Sequence, residues 1–142
     1  MPVSLALMIV AGVLAVAVAA GLIWRALDGR RRPVRGAPTL LDELDADAAR
    51  AVLLLFSTQT CARCPQVRRM LHSVASALVG IEATEIDLTH RADLAARHRI
   101  LTTPTTFIVT PVGTVAARFT GAPRRVDIEA ALAELPAPQE VR

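Results

Sequence analysis

The sequence contains no lysine and no tyrosine, and aromatic residues make up only 3% of its 142 positions. Because lysine is absent, catalysis through a lysine Schiff base is excluded. Hydrophobic residues still make up 53% of the chain, so its apolar content is mostly aliphatic. A chain of this length accommodates one globular domain and one additional segment.

Cysteine and histidine are also scarce, with two and three residues. A structural zinc site needs four ligands, and His72, His90 and His98 stand at no recognisable ligand spacing. We therefore predict no metal and no cofactor. Transient binding of a soft ion such as Cu(I) by the two thiols is the one metal chemistry that the composition leaves open.

All sixteen basic side chains are arginines, and thirteen acidic residues leave a net charge of +3. Five arginines against one acid give residues 25–35 a net charge of +4, whereas eleven arginines against twelve acids give the chain from Gly36 onward a net charge of −1. We call the five residues the arginine cluster: Arg25, Arg30, Arg31, Arg32 and Arg35. The basic excess is local, and we predict no nucleic-acid partner.

An uncharged stretch of 22 residues, Val3–Trp24, precedes the arginine cluster. As a helix it would be about 33 Å long, enough to cross the hydrocarbon core of a bilayer. A secretory signal peptide is the alternative, since residues 15–20 offer small side chains for cleavage. No basic residue precedes the stretch, and it exceeds the usual apolar region of a signal peptide, so we predict an uncleaved anchor.

The charges beside this stretch predict its orientation. The arginine cluster lies on its C-terminal side, and the positive-inside rule places that side in the cytoplasm. We therefore predict a single-pass protein of the cell membrane whose C-terminal domain is cytoplasmic. Lipid would contact residues 3–24, and the arginine cluster would lie against anionic headgroups.

Composition divides the chain into four parts. They are a transmembrane anchor at 1–26, a basic linker at 27–38, a globular domain at 39–135 and a C-terminal tail at 136–142. In the domain, hydrophobic spacing predicts helices at 39–50, from about 61, at 91–99 and at 124–135, and strands at 51–57, at 81–88 and on both sides of a turn at 111–113. This order predicts an α/β fold with a parallel strand pair and a final hairpin.

The two cysteines, Cys61 and Cys64, follow a predicted buried strand and begin a predicted helix. This placement is typical of a redox motif. A helix that begins at about Cys61 would direct its unpaired N–H groups and its positive dipole end at that sulfur and favour the reactive thiolate. A structural disulfide and a metal site are weaker alternatives, because the loop is too short to restrain the chain and further ligands are lacking.

The sequence resembles the thioredoxin family in three stretches. They are VLLLFSTQTCARCPQVRRML, for the strand, the CxxC motif and the helix, RILTTPTTFIV, for the cis-proline segment, and GTVAARFTGAP, for the closing strand and its glycine. The resemblance covers about residues 39–135. It implies a thioredoxin-like fold, with a central mixed sheet of about four strands flanked by helices, behind one N-terminal transmembrane helix.

The resemblance also implies roles for four residues. Cys61 matches the nucleophile that attacks a substrate disulfide, and Cys64 matches the resolving thiol of the redox-active pair. Pro104 matches the cis-proline that packs beside the pair, and the backbone of Thr103 would bind the substrate peptide. An ordinary trans proline at the start of a strand is the alternative for Pro104. The implied partners are disulfide-bearing protein substrates and an electron donor such as a thioredoxin reductase.

Several positions depart from the usual pattern of the family. Thr60 replaces a tryptophan before the first cysteine, and the residues between the cysteines are Ala-Arg rather than Gly-Pro. Leu55 stands where many members have a buried acid, which helps to take the proton from the second thiol. Water or another group would therefore replace that acid. His98 stands where an aromatic residue is common, and we predict a structural role for it.

The predicted function is the reduction of protein disulfides by a membrane-tethered, cytoplasm-facing oxidoreductase, because the cytosol keeps such a thiol pair reduced. With the opposite topology, the same chemistry would serve disulfide formation or a reduction of the cytochrome-maturation type. A non-catalytic thioredoxin-like binding module is the third hypothesis.

Overall fold

The computed structural model describes residues 3–27, 31–32 and 50–135. Helix α1 (Val3–Leu27) contains an apolar segment, Ser4–Ala26, with a mean hydropathy of 2.7, and none of that segment is buried. By length and composition this helix could cross a membrane, and a signal sequence near an N-terminus has the same features.

The rest of the described chain is built on one mixed sheet. Its strands are β1 (Arg31–Arg32), β2 (Ala51–Ser57), β3 (Ile81–Asp87), β4 (Thr105–Val109) and β5 (Val115–Thr120), in the spatial order β1-β5-β4-β2-β3. β2 and β3 are parallel, and the other neighbours are antiparallel. The predicted parallel pair and the predicted final hairpin are therefore present.

Strand β1 differs from the sequence prediction, which placed its two residues in a linker. It pairs with β5, in a register that sets Arg31 opposite Phe119 and Arg32 opposite Arg118. A short arginine strand covers part of a sheet edge whose N–H and C=O groups would otherwise be open to another chain. The predicted helix before Arg50 and the predicted tail after residue 135 lie outside the described residues.

Among residues 50–135, three helices flank the sheet: α2 (Cys64–Ala77), α3 (Ala92–Arg97) and α4 (Arg125–Ala133). The prediction that α2 begins at about Cys61 was wrong by three residues. The Cys61 N–H donates to the carbonyl of Thr58 at 3.1 Å, and the Cys64 N–H donates to the carbonyl of Cys61 at 3.3 Å. These turns occupy the chain until the first helical bond, from the Val67 N–H to the carbonyl of Arg63.

The core consists of two apolar layers, one on each face of the sheet. β2 contributes to both, because all seven of its residues are buried. On one face, Leu53 and Leu55 pack with residues of α2 and α4, among them Leu71 and Ile128. On the other face, Leu54 and Phe56 pack with residues of α3 and β4, among them Leu94 and Phe107. The continuous apolar run is thus a strand covered on both faces, as predicted.

Replacement of Phe119 tests this core. The side chain is fully buried between the sheet and the helices of the first layer. Phe119→Ala is expected to lower the free energy of unfolding by about 3–5 kcal/mol, because it removes buried apolar atoms and leaves a cavity. Val79→Ala is the control, since Val79 is 97% exposed. Urea unfolding of the full chain in detergent micelles, followed by circular dichroism, measures both; equal midpoints for the two variants would contradict this packing.

Candidate redox site

The two cysteines form a disulfide, with their Cα atoms 5.5 Å apart. Cys61 is half-buried, whereas Cys64 is only 3% exposed. The difference arises because Cys61 lies in the turn after β2, while Cys64 lies in the first turn of α2 on the face that packs against the sheet. One sulfur is therefore accessible to a partner molecule, and the other is shielded behind it.

The N-terminus of α2 sets the electrostatics of the pair. Cys64 is the first residue of the helix and Cys61 lies three residues before it, so both are close to the positive end of the helix dipole. Pro65 also lies in the first turn, where the absence of an N–H group costs no helical hydrogen bond. In the reduced protein this position favours a thiolate at the more exposed Cys61.

A second loop, before β4, lies beside the cysteine turn. Its peptide bond between Thr103 and Pro104 is cis, and Pro104 is buried while Thr103 is half-buried. The hydroxyl oxygens of Thr58 and Thr103 are 3.1 Å apart and share a hydrogen bond. Because the Thr58 carbonyl also accepts the Cys61 N–H, this threonine joins the cysteine turn to the proline loop.

Gly121 holds the proline loop from its other side. Its N–H donates to the carbonyl of Pro104 at 2.8 Å. Its φ is 86°, in the left-handed region where a side chain would be strained, so glycine suits this position. The sequence analysis selected Cys61, Cys64, Thr103 and Pro104. The first two lie in the cysteine turn and the start of α2, the other two lie in the proline loop, and the hydrogen bond between Thr58 and Thr103 joins the two segments.

The last residue of β3, Asp87, and the turn that follows it hold the cysteine turn in place through hydrogen bonds. The Gln59 N–H donates to the Thr89 hydroxyl at 3.0 Å, and that hydroxyl donates to Asp87. The Thr89 N–H also donates to Asp87, at 2.8 Å. Hydrogen bonds from the side chain and then the backbone of Thr89 lower the pKa of Asp87, because they stabilise the ionised carboxylate.

A cleft of about 360 Å³ opens beneath the disulfide, and the sequence analysis missed one of its side chains. Leu55 is 1% exposed, so the position of the usual acid is apolar core. Glu85 stands beside it on β3 and lines the cleft together with both cysteines. The alternation of β3 puts Ala83, Glu85 and Asp87 on one face, but only the parallel register with β2 brings that face under the cysteines.

One histidine, His98, belongs to the core. His98 is 3% exposed, and its ring centroid is 5.7 Å from that of Phe56, in the apolar layer opposite α2. This position fits the structural role that we predicted for it. Within residues 3–27, 31–32 and 50–135, no three side chains of His, Cys, Asp or Glu are grouped as a metal site would require.

The Asp87 carboxylate predicts a dependence of stability on pH. Its pKa in the folded protein lies below the ordinary value of 3.8. The stabilisation is therefore fully present above about pH 4 and is lost as the pH falls through the lower, folded value. In Asp87→Asn and Thr89→Val this contribution is absent or reduced, so their unfolding midpoints in urea should fall less than that of the wild type between about pH 5 and pH 3. An equal fall of the unfolding midpoint in all three proteins would contradict the stabilisation by the Asp87–Thr89 hydrogen bonds.

Comparisons with known proteins agree with this geometry. The family model for thioredoxin matches residues 34–134. A Fasciola hepatica thioredoxin is 20% identical, with a TM-score of 0.56 over 68% of this chain and 88% of that chain. A Trichomonas vaginalis thioredoxin is 23% identical, with a TM-score of 0.56 over 67% and 86% of the two chains. No curated protein sequence matches the chain.

The structural neighbours share the fold, and the family model carries the assignment. Its match spans more than half of the chain and includes both cysteines and the proline loop. The mixed sheet with its flanking helices is the thioredoxin-like fold that the sequence predicted. A thioredoxin domain with a Cys61–Cys64 disulfide supports thiol–disulfide oxidoreductase chemistry. The chain belongs to the thioredoxin family.

Proposed function

We propose that this protein is a membrane-tethered oxidoreductase that reduces protein disulfides on the cytoplasmic side of the membrane. One observation carries the proposal: a disulfide with one accessible and one shielded sulfur, beside a cis-proline loop. A structural disulfide has no need of this asymmetry. A pair that must first meet a substrate and then release it does need it.

The proposed reaction proceeds by two exchanges. The Cys61 thiolate attacks a substrate disulfide, whose S–S bond breaks as one substrate sulfur leaves with the electron pair. The shielded Cys64 then loses its proton and attacks the Cys61 sulfur. The mixed disulfide breaks, the second substrate sulfur leaves, and the Cys61–Cys64 bond forms. A donor such as a thioredoxin reductase supplies the two electrons that restore both thiols.

The proline loop offers a place for the substrate peptide. Thr103 is half-buried beside the cysteine turn, and Leu101, two residues earlier, is 90% exposed. An extended peptide could pair with the backbone at Thr103, as peptides do at an open strand edge. The exposed Leu101 side chain would add an apolar contact two residues before Thr103.

The membrane part of the proposal rests on α1 and the arginine cluster. The helix is apolar over Ser4–Ala26 and is followed by five arginines. Positive charge on that side favours a cytoplasmic domain, and the cytosol supplies reducing equivalents. An outward-facing domain is the second candidate, since the same disulfide could then act as an oxidant or in cytochrome-maturation-type reduction.

Cysteine variants test the chemistry. Cys61→Ser should reduce insulin no faster than a reaction without protein, because the attacking thiolate is gone. Cys64→Ser should accumulate a mixed disulfide with the substrate, because nothing resolves it. Turbidity measures the first result, and non-reducing electrophoresis measures the second. Activity of Cys61→Ser equal to that of the wild type would refute the assignment; an inactive wild type would favour a binding module.

The topology is tested with the Cys64→Ser variant, whose one remaining thiol is Cys61, after a membrane-permeant reductant has released any mixed disulfide and has been washed out. A membrane-impermeant maleimide should label this thiol only after the cells are permeabilised, because the domain is proposed to be cytoplasmic. Retention of the full-length chain in carbonate-washed membranes separates an anchor from a cleaved signal peptide. Labelling in intact cells would reverse the proposed orientation.

A further inference from the structure

We propose that Glu85 accepts the proton of the Cys64 thiol when this thiol resolves the mixed disulfide, an inference that rests on the proposed oxidoreductase function. Leu55 occupies the position where the family usually has a buried acid, so that position supplies no carboxylate. Glu85 supplies one from the neighbouring strand. The proposal assigns to this chain a general base at a position that its sequence motif does not reveal.

The sheet register places Glu85 next to the apolar Leu55 position. In the parallel pair of β2 and β3, Leu55 is the register partner of Glu85, so the two side chains leave the same face of the sheet. Ala83, two residues before Glu85, packs against the cluster that contains Leu55 and α2. Glu85 therefore lies beneath α2, on the strand next to that of Leu55, and its side chain carries a carboxylate.

The cleft connects this carboxylate to the sulfur atoms. Glu85, Cys61 and Cys64 all line the same space of about 360 Å³, which is large enough to hold several water molecules. This shared cleft is the route by which the proton would pass through water from the thiol to the carboxylate. Cys64 is only 3% exposed, and burial disfavours the ionised form of its sulfur. A base that accepts the proton offsets this cost.

Arg68 fixes the carboxylate in this cleft. Its Nη1 atom is 3.1 Å from Oε2 of Glu85, in an ion pair whose side chains are 49% and 25% exposed. Arg68 follows Cys64 by four residues on α2, so the two side chains lie on the same side of the helix. The helix that carries the thiol thus also carries the residue that positions its base.

Asp87, the other carboxylate that lines the cleft, stabilises the cysteine turn. It accepts hydrogen bonds from the N–H and the hydroxyl of Thr89. These bonds lower its pKa and hold the cysteine turn through Gln59. Proton acceptance by Asp87 would weaken that anchor, whereas Glu85 exchanges a proton without disturbing it.

The protons and electrons balance as follows: the substrate disulfide takes two electrons from the cysteine pair, the donor later returns two, and the released substrate sulfurs take their protons from solvent. The Cys64 proton moves to Glu85, the new sulfur anion attacks Cys61, and the substrate sulfur leaves with the electron pair of the broken bond. When a donor later reduces the Cys61–Cys64 disulfide, Cys64 leaves as a thiolate and Glu85 returns the proton. Glu85 is thus a base in one direction and an acid in the other.

The test separates the two exchanges in one measurement. The reduced full chain in detergent micelles is mixed with a stoichiometric amount of the aromatic disulfide 5,5′-dithiobis(2-nitrobenzoate) in a stopped-flow instrument. The first release of coloured thiol reports attack by Cys61, and the second release reports resolution by Cys64. In Glu85→Gln, the second phase should slow by about tenfold or more at neutral pH, while the first phase stays unchanged.

The dependence on pH distinguishes a base from a structural residue. A free thiol ionises without a base above about pH 8.5, and a buried thiol does so at higher pH, so the deficit of Glu85→Gln should shrink steadily as the pH rises from about 7 to about 10. Glu85→Asp should recover part of the rate, because it restores a carboxylate. Glu82→Gln is the matched control, since Glu82 is an exposed glutamate of the same strand that faces away from Leu55; its two phases should equal those of the wild type.

Arg68→Met provides a second variant, because it removes the ion pair and leaves the carboxylate in place. It should slow the second phase by a smaller factor than Glu85→Gln, whereas Arg69→Met, an exposed change at the next position of the helix, should not slow it. A second phase that is unchanged in Glu85→Gln, or slowed equally at every pH, would overturn the inference about Glu85. Absence of both phases in the wild type would instead overturn the proposed function.

Discussion

Strand β2 is buried on both faces, and the rest of the site is positioned from its C-terminal end. It pairs with β3 on one side and with β4 on the other, so one strand fixes the register of both neighbours. The cysteine turn begins where β2 ends, at Ser57, and the proline loop leads into β4 beside it. A slip of one residue in β2 would turn its apolar side chains to the wrong layers and would also move Glu85 away from the cysteines.

The parts of the site that come from local sequence could be predicted, and those that depend on register could not. Cys61 and Cys64 are recognisable because a buried strand, a turn and an amphipathic helix surround them within a short stretch. Pro104 is recognisable by its motif. Glu85 was missed because its position depends on which residue of β2 it faces, and that pairing is set by packing across the whole sheet. The helix start was misplaced because turn hydrogen bonds compete with helical ones at Cys61.

A carboxylate at Glu85 on β3 has a different electrostatic environment from an acid at position 55 on β2, where the family usually has one. An acid at Leu55 would be surrounded by the apolar layer, and burial strongly disfavours its ionised form. Glu85 is a quarter exposed and is paired with Arg68, so its negative charge is partly solvated and partly compensated. The core thereby gains an aliphatic side chain at Leu55, and the site retains a carboxylate in the cleft.

The strand order also limits which substrates a tethered domain can reach. Helix α1 ends at Leu27 and β1 begins at Arg31, so an extended chain separates these two points by roughly 14 Å at most. If α1 spans the membrane as proposed, the β5 edge of the sheet lies near the bilayer. Adjacent strands are about 4.8 Å apart, which places β2 roughly 14 Å and β3 roughly 19 Å from β1 across the sheet. With the proposed anchoring, the cysteine turn would be held within roughly a few tens of ångströms of the bilayer surface, as the proposed action on disulfides near the membrane requires.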